Sequence, residues 1–502
     1  MTASRFVHFA AYFCHGAGLF VLTGLLLMPT LGQGAELNGR EQAQAALRKA
    51  TSYFNDKVSA EGGCVWQYSA DLQRREGEKA VGPSLVWIQP PGTPTLGTAY
   101  LTAYERTGEK YLLDLARQTA GCLLRGQLQS GGWDYSIELD PAKRNNFAYR
   151  TNTGTLSSKA LRLTTLDDNN TQSVLRLLMR LDQATEFKDH ELHEAIEYAL
   201  QKLIEAQYPN GAWAQRFSEP ADPALHPVKS ASYPETWSRT FPNINYKTYY
   251  TFNDGAMLDV IDVMLEAARL YDAPKYRASA EKAGDFIRLA QLPEPQPTWA
   301  QQYDAEMHPA WARKFEPPSV TGGESQKIIK SLLQLYRHTG DKRFLEPVPA
   351  ALAWLKRSEI APGELARFYE LKTNRPLYFT TKYELTYDDN DLPTHYGFKI
   401  GSNLVALEKE YADATSKPWQ APANKPFGKS KKKPGDPGPL PADVRSIIAA
   451  LDEQGRWLEQ GKLKYQQDNN GEESILRTAT FVKNVDVLSK YIESVRADGD
   501  QK

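Results

Sequence analysis

The chain has 502 residues, enough to bury a large core and, on length alone, to hold roughly two to four domains. Its 60 Lys and Arg nearly balance 61 Asp and Glu, so no global field directs it to nucleic acid. Aromatic residues reach 11%, with 10 Trp and 26 Tyr, and rings with a broad apolar face and a polar edge lean the composition towards carbohydrate.

Residues 1–35 read as a secretory signal: Arg5 leads, Leu19 to Leu27 is apolar, and Gly32-Gln-Gly-Ala35 offers small residues for cleavage. The apolar stretch is short and interrupted by Gly, which points to export rather than a stable span. The expectation is a secreted or periplasmic protein with no stable membrane insertion after cleavage. Cys14 falls within the signal, leaving Cys64 and Cys122, which export would allow either to pair or to stay as buried thiols.

From residue 36 to about 412 a helical hairpin recurs. One copy runs through Thr95 to Tyr104, turns at Thr107-Gly108, continues from Tyr111 to Leu124, and closes with Ser130-Gly-Gly-Trp133. A later copy has Ile328 to Tyr336, the same turn at Thr339-Gly340, and a second helix to Leu355. Two further copies close at Asn210-Gly-Ala-Trp213 and at Trp299, and an N-terminal half-copy, Arg40 to Phe54, closes at Gly62-Gly-Cys-Val-Trp66. Aromatic closures at Trp66, Trp133, Trp213, Trp299 and Phe368 recur every ~65 to 90 residues, the mark of a repeat architecture. Helix pairs of this kind bury their apolar faces only by stacking side by side. Their length and their irregular loops predict an all-α fold, an α/α toroid of repeated helical hairpins with short irregular strands in the loops, rather than a tetratricopeptide-like solenoid. Residues 413–441 are dense in Pro, Gly and Lys, with Lys429-Ser-Lys-Lys-Lys433, and read as a flexible linker. Residues 442–502 read as a small helical extension, with one helix from Ala442 to Leu463 and a second from Thr478 to Val495.

Chemistry gathers at the loop ends of the repeats. Leu166-Asp-Asp-Asn-Asn170 carries more Asp and Asn than a helix cap requires, and hard oxygens in a row suit Ca2+, although the alternating spacing of an EF-hand is absent. Tyr250-Thr-Phe-Asn-Asp254 stands at the next helix start, where Asp254 is expected to occupy the place of Asp167. Two more loops, Trp299-Ala-Gln-Gln-Tyr303 with Ala312-Arg-Lys-Phe-Glu316, and Arg367-Phe-Tyr-Glu370 with Thr373-Asn-Arg-Pro376, bring cations and aromatics. Carboxylates beside Arg and Trp suit an anionic sugar polymer held partly through a metal, with Arg pairing a uronate at two points.

In order along the chain, Thr165-Leu-Asp-Asp-Asn169, Asn210-Gly-Ala-Trp-Ala-Gln-Arg-Phe217, Tyr250-Thr-Phe-Asn-Asp-Gly-Ala-Met257, Trp299-Ala-Gln-Gln-Tyr-Asp304, Ala312-Arg-Lys-Phe-Glu-Pro-Pro318 and Arg367 to Pro376 resemble the family-10 pectate lyases. That resemblance implies an α/α toroid that cleaves polygalacturonate, an acidic polysaccharide, by Ca2+-assisted β-elimination. It gives the base role to Arg313, Ca2+ ligation to Asp167, Asp168 and Asp254, and substrate binding to Arg375. Arg367, Lys314, Trp213, Trp299 and Tyr303 complete the expected substrate contacts, and the protein is expected to act as a monomer. A guanidinium gives up its proton reluctantly, so the base role needs burial and a neighbouring cation such as Lys314. Asp167-Asp168 and Gly211-Ala-Trp-Ala-Gln215 depart from the family's usual Asp-Asn and Gly-Gly-Trp-Pro-Gln, and residues 218–245 look like an insertion; both bear on subsite preference. Two other functions fit the same residues: an α/α-barrel glycoside hydrolase using paired carboxylates, and a non-catalytic polyuronate-binding protein.

Overall fold

The repeated turn Tyr-x-x-Thr-Gly explains itself in the structure, a computed structural model that describes residues 38–421, 440–466 and 471–495. At the end of α2 (Thr93–Thr107), Gly108 adopts φ 77° and its N–H donates to the Tyr104 carbonyl, while Thr107 Oγ1 donates back to the Ala103 carbonyl. The same three residues close α8 (Gly322–Thr339): Gly340 at φ 74° donates to the Tyr336 carbonyl and Thr339 Oγ1 to that of Leu335. Only Gly takes this left-handed cap without a Cβ penalty, so the motif stops one helix and turns the chain into the next.

The described residues from Gly39 onward form one compact unit built on twelve α-helices. The first and third are α1 (Gly39–Tyr53) and α3 (Lys110–Arg125). They are followed by α4 (Asn170–Ala184), α5 (His190–Glu205), α6 (Ala256–Tyr271) and α7 (Pro274–Leu289). Beyond α8 come α9 (Val348–Arg357), α10 (Leu404–Thr415), α11 (Ala442–Ala449) and α12 (Thr478–Ser494). Helices α2/α3, α4/α5, α6/α7 and α8/α9 pack as hairpins, and the even-numbered helices pack on one another in the order α12, α2, α4, α6, α8, α10. This is the expected α/α toroid, with the even helices inside and strands of two to five residues confined to the loops.

Three of the aromatic closures are ties between a loop and the helix before it. The indole N–H of Trp133 donates to the Leu123 carbonyl, that of Trp213 to Leu203 and that of Trp299 to Ile287, all at 2.8 Å. The backbone N–H of Trp133 then donates to Thr171 Oγ1 in the following inner helix, and Trp299 does the same with Ser325. A helix end buried this deeply needs its carbonyls satisfied, and the indole does it. Trp213 and Trp299 are therefore core residues, 1% and 0% exposed. Tyr303 is 0% exposed as well, with its hydroxyl donating to the Ala290 carbonyl and accepting from the Ala300 N–H. The expectation that these three rings touch substrate is corrected: their faces are covered and their polar atoms are engaged internally.

The C-terminal segment also differs from expectation. The helix begun at Ala442 ends at Ala449 because the Asp452 side chain accepts from the Gln454 and Arg456 N–H groups and turns the chain. Gly455 then takes φ 93° and the Trp457 indole donates to the Ile447 carbonyl, so Gly455-Arg-Trp457 is one more copy of the Gly-x-Trp tie. Strand Leu458–Gly461 pairs with Glu473–Arg477, which pairs with Gln67–Ser69 near the N-terminus. Helix α12 packs on α1 and α2, with Phe481 stacked 4.1 Å from Phe54. The half-copy at the N-terminus thus finds its inner helix at the other end of the chain. The predicted signal and residues 422–439 of the predicted linker lie outside the described residues. Cys64 and Cys122 are both free and buried, and burial pushes each thiol up to about 12.

Candidate active site

Two strand-to-helix junctions place the acidic residues. Strand Thr164–Thr165 pairs with Arg216–Phe217 and runs into α4; strand Tyr250–Thr251 pairs with Gln302–Tyr303 and runs into α6. Both junctions follow the same backbone path. Leu166 and Phe252 lie at φ −100°, and two left-handed residues follow in each: Asp168 and Asn169 at φ 49° and 58°, Asp254 and Gly255 at φ 50° and 76°. In this register Asp254 matches Asp168, and Asp167 matches Asn253. The expected equivalence of Asp254 with Asp167 is off by one, because the backbone conformation, not the first Asp of the run, sets the position. Left-handed Asp is uncommon and costs conformational energy, so two in the same place mark the junctions as built for something other than helix starting.

Oxygens of Asp167, Asp168 and Asp254 lie within 4.8 Å of one another. The Tyr135 hydroxyl lies 2.9 Å from Asp167 Oδ2 and 3.0 Å from Asp168 Oδ2, and its one proton is shared between them. Burial, with repulsion from Asp167 and Asp254, pushes Asp168 up to about 6. Burial also pushes Asp167 up, partly offset by the Tyr135 hydrogen bond and by Arg216 and Arg313. Asp167 Oδ1 and Asn253 Oδ1 are enclosed with no hydrogen-bond partner among the described residues. Crowded, half-desolvated carboxylates with spare lone pairs are short of positive charge, and a hard divalent cation fits this donor set.

Arg313 faces these carboxylates closely enough to feel Asp254 and to lower Asp167. Its Nε and Nη2 donate to Glu316 at 2.8 and 2.5 Å, and Glu316 is 2% exposed. Burial disfavours the Arg313 charge, but its paired hydrogen bonds to the Glu316 carboxylate outweigh that and hold the guanidinium more firmly protonated than usual. Tyr396 donates to Glu316 Oε1 at 3.0 Å, and its ring lies 5.6 Å from the Arg313 guanidinium and 4.6 Å from that of Arg367. Arg367 is further fixed by donating to the Gly397 carbonyl at 2.6 Å. Sequence reasoning passed over Tyr396, which joins the two Arg-bearing loops.

Arg216 was also passed over as a functional residue, although it stands inside the Asn210 to Phe217 motif. It pairs in register with Thr165, two residues before Asp167, which puts its guanidinium 5.2 Å from the Tyr135 ring. Its Nε is enclosed without a hydrogen-bond partner among the described residues. The signal that finds it is strand pairing, which a one-dimensional scan does not display. Lys314 and Arg375 go elsewhere: Lys314 is exposed and sits 3.5 Å above the Tyr383 ring, while exposed Arg375 sits 3.5 Å above Tyr387. Tyr387 and Arg239 both bond Glu370, so Arg375 belongs to a second patch supplied partly by the 218–245 insertion. The Lys314 ammonium rests on the Tyr383 ring.

The family profile described as pectic acid lyase matches residues 127–365. The matched segment contains both Asp junctions, Arg216, Arg313 and Glu316, and the match supports a polysaccharide lyase. A search of curated proteins gives no match. Among solved structures, the family 10 polysaccharide lyase from Cellvibrio cellulosa is similar at 19% identity, covering 64% of this chain and 97% of that one, with a TM-score of 0.44. A mutant of that lyase in complex with trigalaturonic acid covers 64% and 98%, also at 19% and 0.44. The family GH76 α-mannanase of Bacteroides thetaiotaomicron is similar at 10% identity over 91% and 96%, with a TM-score of 0.40.

Proposed function

We propose that this polysaccharide lyase is a pectate lyase, cleaving polygalacturonate by Ca2+-assisted β-elimination. The observation that carries the reading is the convergence of Asp167, Asp168 and Asp254 within 4.8 Å, with the half-exposed Arg313 beside them held by buried Glu316. Asp167, Asp168 and Asp254 would hold a Ca2+ ion, which would supply neutralising charge for a bound uronate. Arg216 and Arg367, on either side, pair with carboxylates of the polymer. Arg313 takes the proton from C5 of the uronate; the C4–O4 bond breaks, the C4=C5 double bond forms, and the departing O4 picks up a proton. No water is consumed, and the developing enolate is stabilised by the cations around it.

Glu316 sets the condition for the Arg313 role. While the two are paired the guanidinium stays charged, so Arg313 must turn away from Glu316 before it accepts a proton. A charged Arg313 that only stabilises the enolate is the alternative assignment, and Arg313→Lys separates them. A base role moves the pH–rate profile with the new side chain's pKa, whereas a purely electrostatic role lowers the rate at all pH values alike. Export by the N-terminal segment fits this substrate, since the polymer is extracellular. Among the described residues no helix is long and apolar enough to cross a membrane.

The test of the reaction is ultraviolet absorbance during incubation with polygalacturonate. A rise with Ca2+ that chelator abolishes is expected. Reducing ends released with no absorbance would replace the lyase reading with hydrolysis, and polymer retention with neither product would indicate a binding protein.

A further inference from the structure

Helix α8 leaves the site through two adjoining cavities. One, of about 250 Å³, is lined by Asp254, Asp259, Asp262, Lys327, Lys330 and Gln334 among others. The next, of about 420 Å³, is lined by Glu324, Lys327, Lys330, Arg367, Asn403 and Glu410 among others. Lys327 and Lys330 belong to both, so they form the ridge between the acidic cluster and Arg367. Three residues apart on a helix, they project from one face, while Ile328 and Ile329 between them are fully buried on the other.

Three of the five acids lining these cavities are already engaged by Arg. Asp259 pairs with Arg176 at 3.0 Å, Glu410 with Arg337 at 3.1 Å, and Glu324 lies 3.7 Å from Arg367. Lys327 and Lys330 are exposed and make no ion pair among the described residues. Two ammonium groups that no carboxylate has fixed therefore line the concavity that begins at Asp254.

We propose that Lys327 and Lys330 form a subsite for a second uronate carboxylate, distal to the bond being cut, so that the polymer runs from the acidic cluster along α8 towards Arg367. This rests on the pectate lyase reading and adds to it the direction of the bound chain and two specificity-determining residues. An ammonium pair, rather than an Arg fork, holds a carboxylate without fixing its plane, which suits a sugar at the periphery of a flexible polymer.

The experiment compares the wild type with Lys327→Gln/Lys330→Gln and Lys327→Arg/Lys330→Arg, on polygalacturonate and on trigalacturonate. The double Gln variant is expected to raise KM for the polymer about tenfold at low salt, with kcat within about twofold and a smaller effect on the trimer. The double Arg variant should restore KM. An unchanged polymer KM, or a loss confined to kcat, in a variant with wild-type circular dichroism overturns the proposal. If the wild type forms no unsaturated product, the reaction reading has failed instead, and retardation in polygalacturonate-containing native gels decides this one. Weaker retardation of the Gln variant sustains the subsite, and equal mobility of the two overturns it.

Discussion

Three successive inner helices begin at the same point of the repeat, and only one begins with a side-chain cap. At α8 the Thr321 hydroxyl accepts from the Gly323 and Glu324 N–H groups and donates to the Glu324 carboxylate, a side-chain cap that satisfies two free amides of the first turn. At α4 and α6 the cap positions are Asn169 and Gly255, both left-handed, and neither makes a side-chain cap. The carboxylates that could have capped those helices point at one another instead. The difference is one of purpose: α8 starts where a helix is stabilised, while α4 and α6 give up that stabilisation to gather three acids in a half-buried place.

The largest test of this contrast is on activity. Asp254→Ala and Arg313→Ala should each lower kcat/KM on polygalacturonate by about a thousandfold or more, since each removes charge from the reacting centre. Thr321→Ala should leave kcat/KM within about threefold, because the side-chain cap touches no reacting atom. A fall with Thr321→Ala as large as with Asp254→Ala, in folded protein, would erase the distinction between the junctions.

A second contrast sets the interior hairpins against the one assembled from the two chain ends. Helices α3 to α9 meet neighbours close in sequence, but α1 depends on α12, more than four hundred residues away. Phe481 is 4% exposed and packs between Phe54 and Tyr100. Phe481→Ala should cost about 3–5 kcal/mol by urea denaturation, and a loss below ~1 kcal/mol would make α12 an appendage rather than the inner member of a hairpin.

The same two contrasts decide what was legible in the sequence. The toroid was, because Thr-Gly caps and Gly-x-Trp closures recur in the chain and each performs one local job. The site was partly so: Asp167, Asp168, Asp254 and Arg313 stand in motifs, and the structure gathers them. Trp213, Trp299 and Tyr303 stand in the same motifs for a different reason, the tying of loops to helices, and a motif does not say which of its residues is structural. Arg216 and Tyr396 reach the site through strand pairing and through a contact eighty residues long, from Tyr396 to Glu316, which no local pattern reveals. The copy at Gly455 could have been found by its Gly-x-Trp spacing; the break after Ala449 hid it by making the segment read as one helix.

A cation should relieve the strain of the uncapped junctions. Asp167 and Asp168 are both raised by burial, so Ca2+ at about one hundred times its dissociation constant should stabilise the fold by about 2.7 kcal/mol. Calorimetry with and without chelator measures this, and Asp254→Ala should shrink the shift sharply. An equal shift in both proteins would place the ion elsewhere.

The smallest effects differ in sign, which makes them the sharpest comparison. Burial pushes Asp168 up to about 6 in the fold, from the ordinary carboxylate value of 3.8, so in the absence of metal its ionisation works against folding. Below the lower value both states are protonated and there is no penalty. The penalty grows as pH rises from there to about 6 and is complete above it. Asp168→Asn should therefore stabilise the metal-free protein at pH 7 by about 1 kcal/mol, and the gain should vanish near pH 3.5. Thr321→Ala, by contrast, removes a cap and should destabilise by about 1 kcal/mol at both pH values. The two melting shifts, measured side by side with chelator at the two pH values, should be opposite at neutral pH. If Asp168→Asn destabilises there as Thr321→Ala does, then Asp168 is holding the helix start together after all, and the carboxylate cluster is a feature of the fold rather than of the chemistry.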